Sequence, residues 1–505
     1  MSLARLGDEN IQRYGEYEAL AFEGRRWTNV DQYRAACRTA HALRRLGVEP
    51  GDRVIVMLPN CPEVMQSYGG ILRAGGVIVP VIFLLGEAEV AHILTDSEAK
   101  VVITSSDMVG KVEKQMGVLP SLRDVLLVDG GGQAGLRSFA EEIARESDRF
   151  ESVPRADGDL AVILYTSGTT GTPKGVSLSH ANLESNARSA ASLSELDRER
   201  WGVGVLPLSH SYGLTVMNAG HILGTRAALL RWFNPEEVLR TIQEFRAESM
   251  SGVPTMFVYL LHYPEASRYD TSSMRMWGSG AAPLPFEIVE PFERRFGGKL
   301  LEGYGLTEAS PVVSAHRLSG VRKLGSVGQP IPGVTVSIRD DEDRALPADE
   351  VGEVCVQGPN VMVGYYRNPE ETAKTIRGGW LRTGDMGRLD ADGFLYIVER
   401  KKDLIIRGGF NIYPRDVEEA LYAFPAVAEA AVIGRPDTLM GEEVVAFVVL
   451  KSGQAATADE VMSFCQSRLA RYKCPKEIRF VNALPKSPVG KILRKELRGQ
   501  AHTQT

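Results

Sequence analysis

The stretch Tyr165-Thr166-Ser167-Gly168-Thr169-Thr170-Gly171-Thr172-Pro173-Lys174-Gly175-Val176 gathers hydroxyl donors, glycines that let backbone N–H groups come close to a ligand, and one lysine. That combination suits a polyanion such as a triphosphate. A solvated Ser/Thr/Gly loop has the same composition. The stretch is also not the GxxxxGK[ST] loop of P-loop NTPases, because Gly175 follows Lys174 and the glycine spacing differs. Other residues able to do chemistry lie far along the chain. His210 and Tyr212 sit at a strand exit, Asp385 on a turn beside Gly384, and Lys491 after a Pro/Gly-rich tail. Each has an ordinary alternative: a surface histidine with a core tyrosine, an aspartate bonding its own backbone, a solvated lysine.

The elements that must position these residues follow from periodicity and punctuation. Thr28-Asn29-Val30-Asp31 predicts a capping box opening a helix to about Leu46, stopped by Gly47. Strands over 53–58, 77–81 and 100–104 alternate with helices over 62–74 and 87–94, which predicts a parallel sheet with helices on its faces. Leu160 to Tyr165 is a further strand, so the Thr/Gly loop leaves its carboxyl end, where such sheets bind ligands. A helix over 182–194 follows. Short strands at 202–206, 249–253, 274–277 and 299–301 then run into glycine-rich exits, two of them Gly278-Ser279-Gly280-Ala281-Ala282 and Gly303-Tyr304-Gly305-Leu306-Thr307-Glu308. Small residues there allow a flat ring to lie against backbone. Gly278-Ser279-Gly280 lacks the third glycine of a dinucleotide fingerprint. After Gly325, short strands with turn signals such as Asp392-Gly393 predict an antiparallel β subdomain. The charge run Glu399-Arg400-Lys401-Lys402-Asp403 reads as a linker into a small α+β domain.

Length and composition bound the rest. A chain of 505 residues supports more than one core, and a formal charge of -6 gives no electrostatic case for nucleic acid or an anionic membrane. Cys37, Cys61, Cys355, Cys465 and Cys474 are scattered without CxxC spacing, which predicts reduced thiols and a cytoplasmic address. The N-terminus has no apolar h-region. The longest apolar run, Val77 to Leu85, is too short to span a bilayer and contains Pro80, so no transmembrane segment is expected.

Taken in order, Tyr165–Val176, Tyr304–Glu308, Thr383–Asp385, Arg400–Asp403 and Pro485–Lys491 resemble the adenylate-forming superfamily of acyl-CoA synthetases, nonribosomal peptide synthetase adenylation domains and firefly luciferase. The resemblance runs from about Trp27 to Lys491. It implies an AMP-forming carboxylate–CoA ligase: acid plus MgATP gives acyl-adenylate and pyrophosphate, and CoA then takes the acyl group. It implies that Thr166, Ser167, Gly168, Thr169, Thr170, Gly171 and Lys174 enclose the ATP phosphates, with Thr307 adding a contact and Glu308 holding Mg²⁺. Gly280, Ala281, Ala282 and Tyr304 would form the adenine wall. Asp385 and Arg400 would bind the ribose, and Lys491 would reach the acid and the bridging oxygen. It further implies an ATP- and acyl-binding domain over 1–399 (its β subdomain about 325–399), a hinge at 400–402 pivoting on Lys402, and a mobile domain over 403–505 whose Gly408 and Gly409 line the pantetheine tunnel.

The acyl pocket of relatives corresponds to His210, Tyr212, Trp277, Gly278, Gly303, Gly305, Pro311 and Val312 here. Acetate-type members resemble one another in having tryptophan where this chain has Gly305, so the resemblance implies an open pocket for a medium- to long-chain fatty or aryl acid. Two alternatives stand beside this expectation: a ligase that loads the phosphopantetheine of a carrier protein, and a non-catalytic nucleotide-binding protein.

Overall fold

The computed structural model describes residues 3–131, 135–167, 173–486 and 492–502. Strands Arg53–Val56, Val77–Pro80 and Val101–Thr104 run parallel and are almost wholly buried. Continuous Val/Ile runs are what a sheet covered on both faces requires. They centre an eight-stranded sheet that continues through Asp124–Leu127 to Leu136–Ser138 on one side, and through Leu160–Ser167, Pro173–Ser179 and Gly364–Tyr365 on the other. The expected capping box is present: the Asp31 N–H donates to Thr28 Oγ1, and Asp31 takes the Thr28 N–H in return. The helix it opens, Asn29–Arg45, packs on Pro62–Arg73 at Gly69 and Gly70, where a Cβ would fall 2.8 Å from the Ala36 Cβ and 2.5 Å from the Thr39 side chain.

A second, seven-stranded sheet is ordered Lys299–Glu302, Met276–Ser279, Ser249–Gly252, Trp201–Gly204, Arg226–Leu229, Glu18–Phe22, Arg25–Thr28. All its neighbours pair in parallel except the terminal hairpin. Its core holds Phe257, Trp277, Phe292 and Phe296, with Trp277 and Phe292 each in ring contact with the other three.

The expected strand-then-loop around Tyr165–Val176 is instead a hairpin. Leu160–Ser167 pairs antiparallel with Pro173–Ser179, Thr166 opposite Lys174. Pro173 and Gly175 hide this return strand from a propensity reading. Beyond Gly325 the antiparallel subdomain forms as expected, with Thr335–Arg339, Gly352–Gln357, Trp380–Leu389, Ile376–Arg377 and Leu395–Arg400 in one sheet. Lys401–Asp403 makes a single 3₁₀ turn, and the chain then enters a separate sheet of Phe410–Ile412, Ile405–Arg407, Gly441–Leu450, Val427–Asp437 and Glu477–Phe480. That sheet is packed by Pro414–Tyr422, Ala458–Arg468 and Arg494–His502. Contacts with the rest of the chain include Arg494 donating to Glu399 (3.1 Å), Arg415 donating to the Ile397 carbonyl (2.8 Å) and the Arg415 guanidinium over the Phe286 ring.

Candidate active site

Three residues from separate elements meet at one end of the site. Trp380–Leu389 and Leu395–Arg400 pair so that Asp385 lies opposite Arg400. The Asp385 N–H donates to Thr383 Oγ1 (3.1 Å), and the Thr383 hydroxyl donates to the Val354 carbonyl (2.7 Å), which fixes the turn. The Asp385 carboxylate is therefore free of its own backbone. It accepts from the Tyr304 hydroxyl at 2.6 Å and lies 3.3 Å from Arg400 Nε. Burial and the neighbouring Asp385 push the Tyr304 phenol far above its ordinary value, so it stays a donor. Burial works against the Arg400 charge, but Asp385 and Tyr304 outweigh it and hold the guanidinium above its usual range. A buried carboxylate with open lone pairs beside a fixed cation is a good acceptor for a vicinal diol.

At the other end, Glu308 lies in the 3₁₀ turn Thr307–Ala309 and accepts from the Tyr365 hydroxyl at 3.0 Å. Thr307 Oγ1 is 3.3 Å from the Ser211 hydroxyl. Lys174 is 2.5 Å from Glu371 and 5.6 Å from the Tyr365 ring centre. Leu306, Glu308, Tyr365, Thr383 and Gly384 line part of a polar cavity of about 320 Å³. No group of three metal-binding side chains occurs among the described residues. Glu308 as a lone carboxylate fits Mg²⁺, which keeps several waters and is held by one or two carboxylates plus substrate phosphates.

The Tyr212 ring lies across Gly278 and Gly280, where added Cβ atoms would come 3.3 Å and 3.2 Å from the tyrosine side chain. Ala281 takes φ 70°, and the Gly303 N–H donates to the Ser279 carbonyl (2.9 Å). His210 caps helix Ser211–Leu223, its Nδ1 accepting from the Tyr212 N–H (3.2 Å). Both residues line an apolar cavity of about 110 Å³ whose other walls include Phe83, Leu206, Trp232, Phe233 and Met256.

Six of the expected pocket residues, Trp277, Gly278, Gly303, Gly305, Pro311 and Val312, do not line this apolar cavity. Trp277 is fully buried in the second core, its indole N–H donating to the Gly297 carbonyl (2.9 Å), because its side chain points to the opposite face of strand Met276–Ser279 from the glycines beside it. A Cβ on Gly305 would lie 2.2 Å from the Pro311 carbonyl oxygen, so glycine is demanded by a close backbone approach and not by pocket width.

Gly408 and Gly409 form the turn joining Ile405–Arg407 to Phe410–Ile412, with φ 56° and 82°. Neither lines the polar cavity. Lys402 sits in the 3₁₀ turn, where burial and then Arg400 lower its pKa. Thr166 lies opposite Lys174 in the first strand of the hairpin, and Ser167 is that strand's last residue. Gly168, Thr169, Thr170, Gly171 and Lys491 lie outside the described residues. Sequence reasoning missed Tyr365 and Glu371, which carry no local signal beyond the Asn368-Pro369 helix start. It also missed the cavity aromatics Phe83, Trp232 and Phe233, which read as ordinary strand-exit residues.

A nucleotide-binding enzyme with a separate C-terminal unit is the class that this fold and site define. Family models described as "AMP-binding enzyme" and "AMP-binding enzyme C-terminal domain" match residues 7–366 and 416–491. The chain belongs to the AMP-binding, adenylate-forming enzyme family. It is 42% identical over 518 residues to a long-chain-fatty-acid–CoA ligase of Bacillus subtilis (strain 168), covering 97% of this chain and 92% of that one. It is 36% identical to a feruloyl-CoA synthase of Amycolatopsis sp, covering 95% of each. Among solved structures, an anthranilate CoA ligase in complex with anthranoyl-AMP superposes with a TM-score of 0.94 at 28% identity, covering 99% of this chain and 97% of the other.

Proposed function

We infer that the protein is an AMP-forming acyl-CoA synthetase whose substrates are ATP, a fatty or aryl carboxylate and CoA. One observation carries this reading. Tyr304, Asp385 and Arg400 form one polar cluster, Tyr365 joins Glu308 to Lys174 in a second, and Thr307 meets Ser211 at the start of the helix whose cap, His210, lines an apolar cavity. That is the layout a nucleoside triphosphate and an apolar acid require. Relatives named for CoA ligation of a long-chain acid and of ferulate support the acid class.

In this reading Asp385 accepts from the ribose hydroxyls while Tyr304 orders the carboxylate. The hairpin that carries Lys174 wraps the phosphates. An acid oxygen attacks the α-phosphorus, and the bond from that phosphorus to pyrophosphate breaks. Mg²⁺ bound through Glu308 supplies charge neutralisation on the departing pyrophosphate. Lys491, delivered by the C-terminal unit, offsets the repulsion between the two anions. After a pivot at Lys402, with 1–399 and 403–505 as the two bodies, the CoA sulfur attacks the acyl carbonyl, AMP leaves, and the thiol proton passes to solvent.

The cavity's size bears on the acid. A dry cavity of about 150 Å³ holds benzene, so about 110 Å³ takes the first carbons of a chain, and a whole aryl ring needs it to widen. A longer chain needs the rim to part at Trp232 and Leu84, each 55% exposed. Five buried, unpaired thiols support a cytoplasmic address.

The test is a hydroxamate-trapped screen of carboxylic acids with ATP and Mg²⁺, with and without CoA. Octanoate, longer chains or aryl acids should exceed acetate strongly, and CoA should divert the product to thioester. Equal pyrophosphate release with acetate and octanoate refutes the pocket reading. Hydroxamate formation with no CoA thioester would move the acceptor to a carrier protein.

A further inference from the structure

Lys174 and Glu308 are the two charged groups that the proposed function assigns to the phosphates, and both are already engaged by one short segment. Glu371 lies 2.5 Å from Lys174, and Tyr365 reaches Glu308 with its hydroxyl at 3.0 Å while its ring flanks Lys174. The segment is rigid where it matters. Gly364 and Tyr365 pair with Ser177 and Val176 of the phosphate hairpin. The Tyr365 N–H donates to Thr372 Oγ1 (2.8 Å), that hydroxyl donates to the Asn368 carbonyl (2.9 Å), and the Asn368 side chain accepts the Glu371 N–H (3.0 Å). Glu371 is thus pinned one helical turn from a strand that is itself hydrogen-bonded to the strand carrying Lys174.

We propose that Glu371 is a positioning residue that acts as a stand-in anion: it holds the Lys174 ammonium before the triphosphate arrives and takes it back as pyrophosphate departs.

The physical case is one of competition. The Lys174 and Glu371 side chains are only 17% and 30% exposed, so the pair is screened less than a surface ion pair, and a lone ammonium there would be an open anion trap. The Lys174 ammonium has three donors and can meet both anions, but a phosphate and the Glu371 carboxylate that share it lie close enough to repel one another, so Glu371 weakens each phosphate contact that Lys174 makes. Pyrophosphate, being small and highly charged, gains most if that bond is removed. A carboxylate ready to reclaim the lysine speeds its release without touching the reacting atoms.

The proposal rests on the nucleotide reading of the site, and its test separates the two. Pyrophosphate binding is measured by calorimetry with Mg²⁺ present, and acid-dependent ATP–pyrophosphate exchange is followed on the same preparations. Glu371→Gln keeps the shape and removes the charge. It should tighten pyrophosphate binding three- to thirty-fold, lower the KM for ATP, and lower kcat while leaving the melting temperature nearly unchanged. In the Lys174→Ala background the same change should leave pyrophosphate affinity unaltered. Unchanged or weakened pyrophosphate binding in Glu371→Gln overturns the proposal and leaves a structural staple. Tightening that persists without Lys174 also overturns it. Wild-type protein that catalyses no acid-dependent exchange overturns the functional reading, and this proposal with it.

Discussion

Replacing Asp385 with alanine tests the ribose end of the site in a way that separates binding from structure. The carboxylate has two protein partners, the Tyr304 hydroxyl at 2.6 Å and Arg400 at 3.3 Å. Removing the carboxylate leaves the part-buried Tyr304 hydroxyl without this acceptor, a cost of about 1–3 kcal/mol. That cost falls on every substrate alike. The substrate-specific part is the bond from a ribose hydroxyl to a charged acceptor, about 1.5–3 kcal/mol each. The assay is kcat/KM for ATP and for 2′-deoxy-ATP, in wild type and in Asp385→Ala. Wild type should disfavour the deoxy nucleotide by about 10- to 100-fold, since about 1.4 kcal/mol is tenfold. In the variant both nucleotides should be poor and should lie within about threefold of each other. If the variant discriminates as strongly as wild type, Asp385 does not hold the ribose, and its place between Tyr304 and Arg400 is structural.

Two further changes probe the scaffold. Gly305→Ala drives a Cβ into the Pro311 carbonyl and should cost about 1–3 kcal/mol while displacing Tyr304, so the melting temperature should fall and the KM for ATP rise; a stable variant that loses only long acids would restore Gly305 to the acyl pocket. Burial raises the Glu302 carboxyl from 4.5 to about 7, against Arg415 and the Leu284 N–H. The folded state therefore holds that proton more tightly, and Glu302's contribution to stability falls as pH rises from about 4.5 to 7 and is flat above. Glu302→Gln should gain on wild type across that window by up to about 3 kcal/mol, read from denaturant midpoints at pH 5 and 8; a pH-independent difference refutes this.

The elements with strong local signals were legible from residues alone. Thr28 and Asp31 announce their helix, and the Val/Ile runs at 53–56, 77–80 and 101–104 announce a doubly covered parallel sheet. The return strand Pro173–Ser179 was not legible, because its proline, lysine and glycine argue for a loop and only pairing on both sides makes them strand. Trp277 was misplaced for a related reason: alternation says that neighbours on a strand face opposite ways, but not which face meets the pocket. Tyr365 and Glu371 show the deeper limit. Nothing near them in the chain mentions Lys174, and their role appears only when the hairpin and the later strand lie side by side.

That late neighbour bears on how the protein is made. Lys174 and Glu371 are 197 residues apart, and strand Pro173–Ser179 has no outer partner until Gly364–Tyr365 arrives. The opening strand Glu18–Phe22 likewise waits for Arg226–Leu229, and Arg5 for Glu184, 179 residues on. At a synthesis rate of roughly 5–20 residues per second, a nascent sheet edge next to the phosphate hairpin stays bare for about 10–40 s. Lys174, standing in that strand, places a charge on the open edge, the kind of residue that discourages pairing with a stranger. The lysine that later meets phosphate would first serve as a guard on an unfinished sheet.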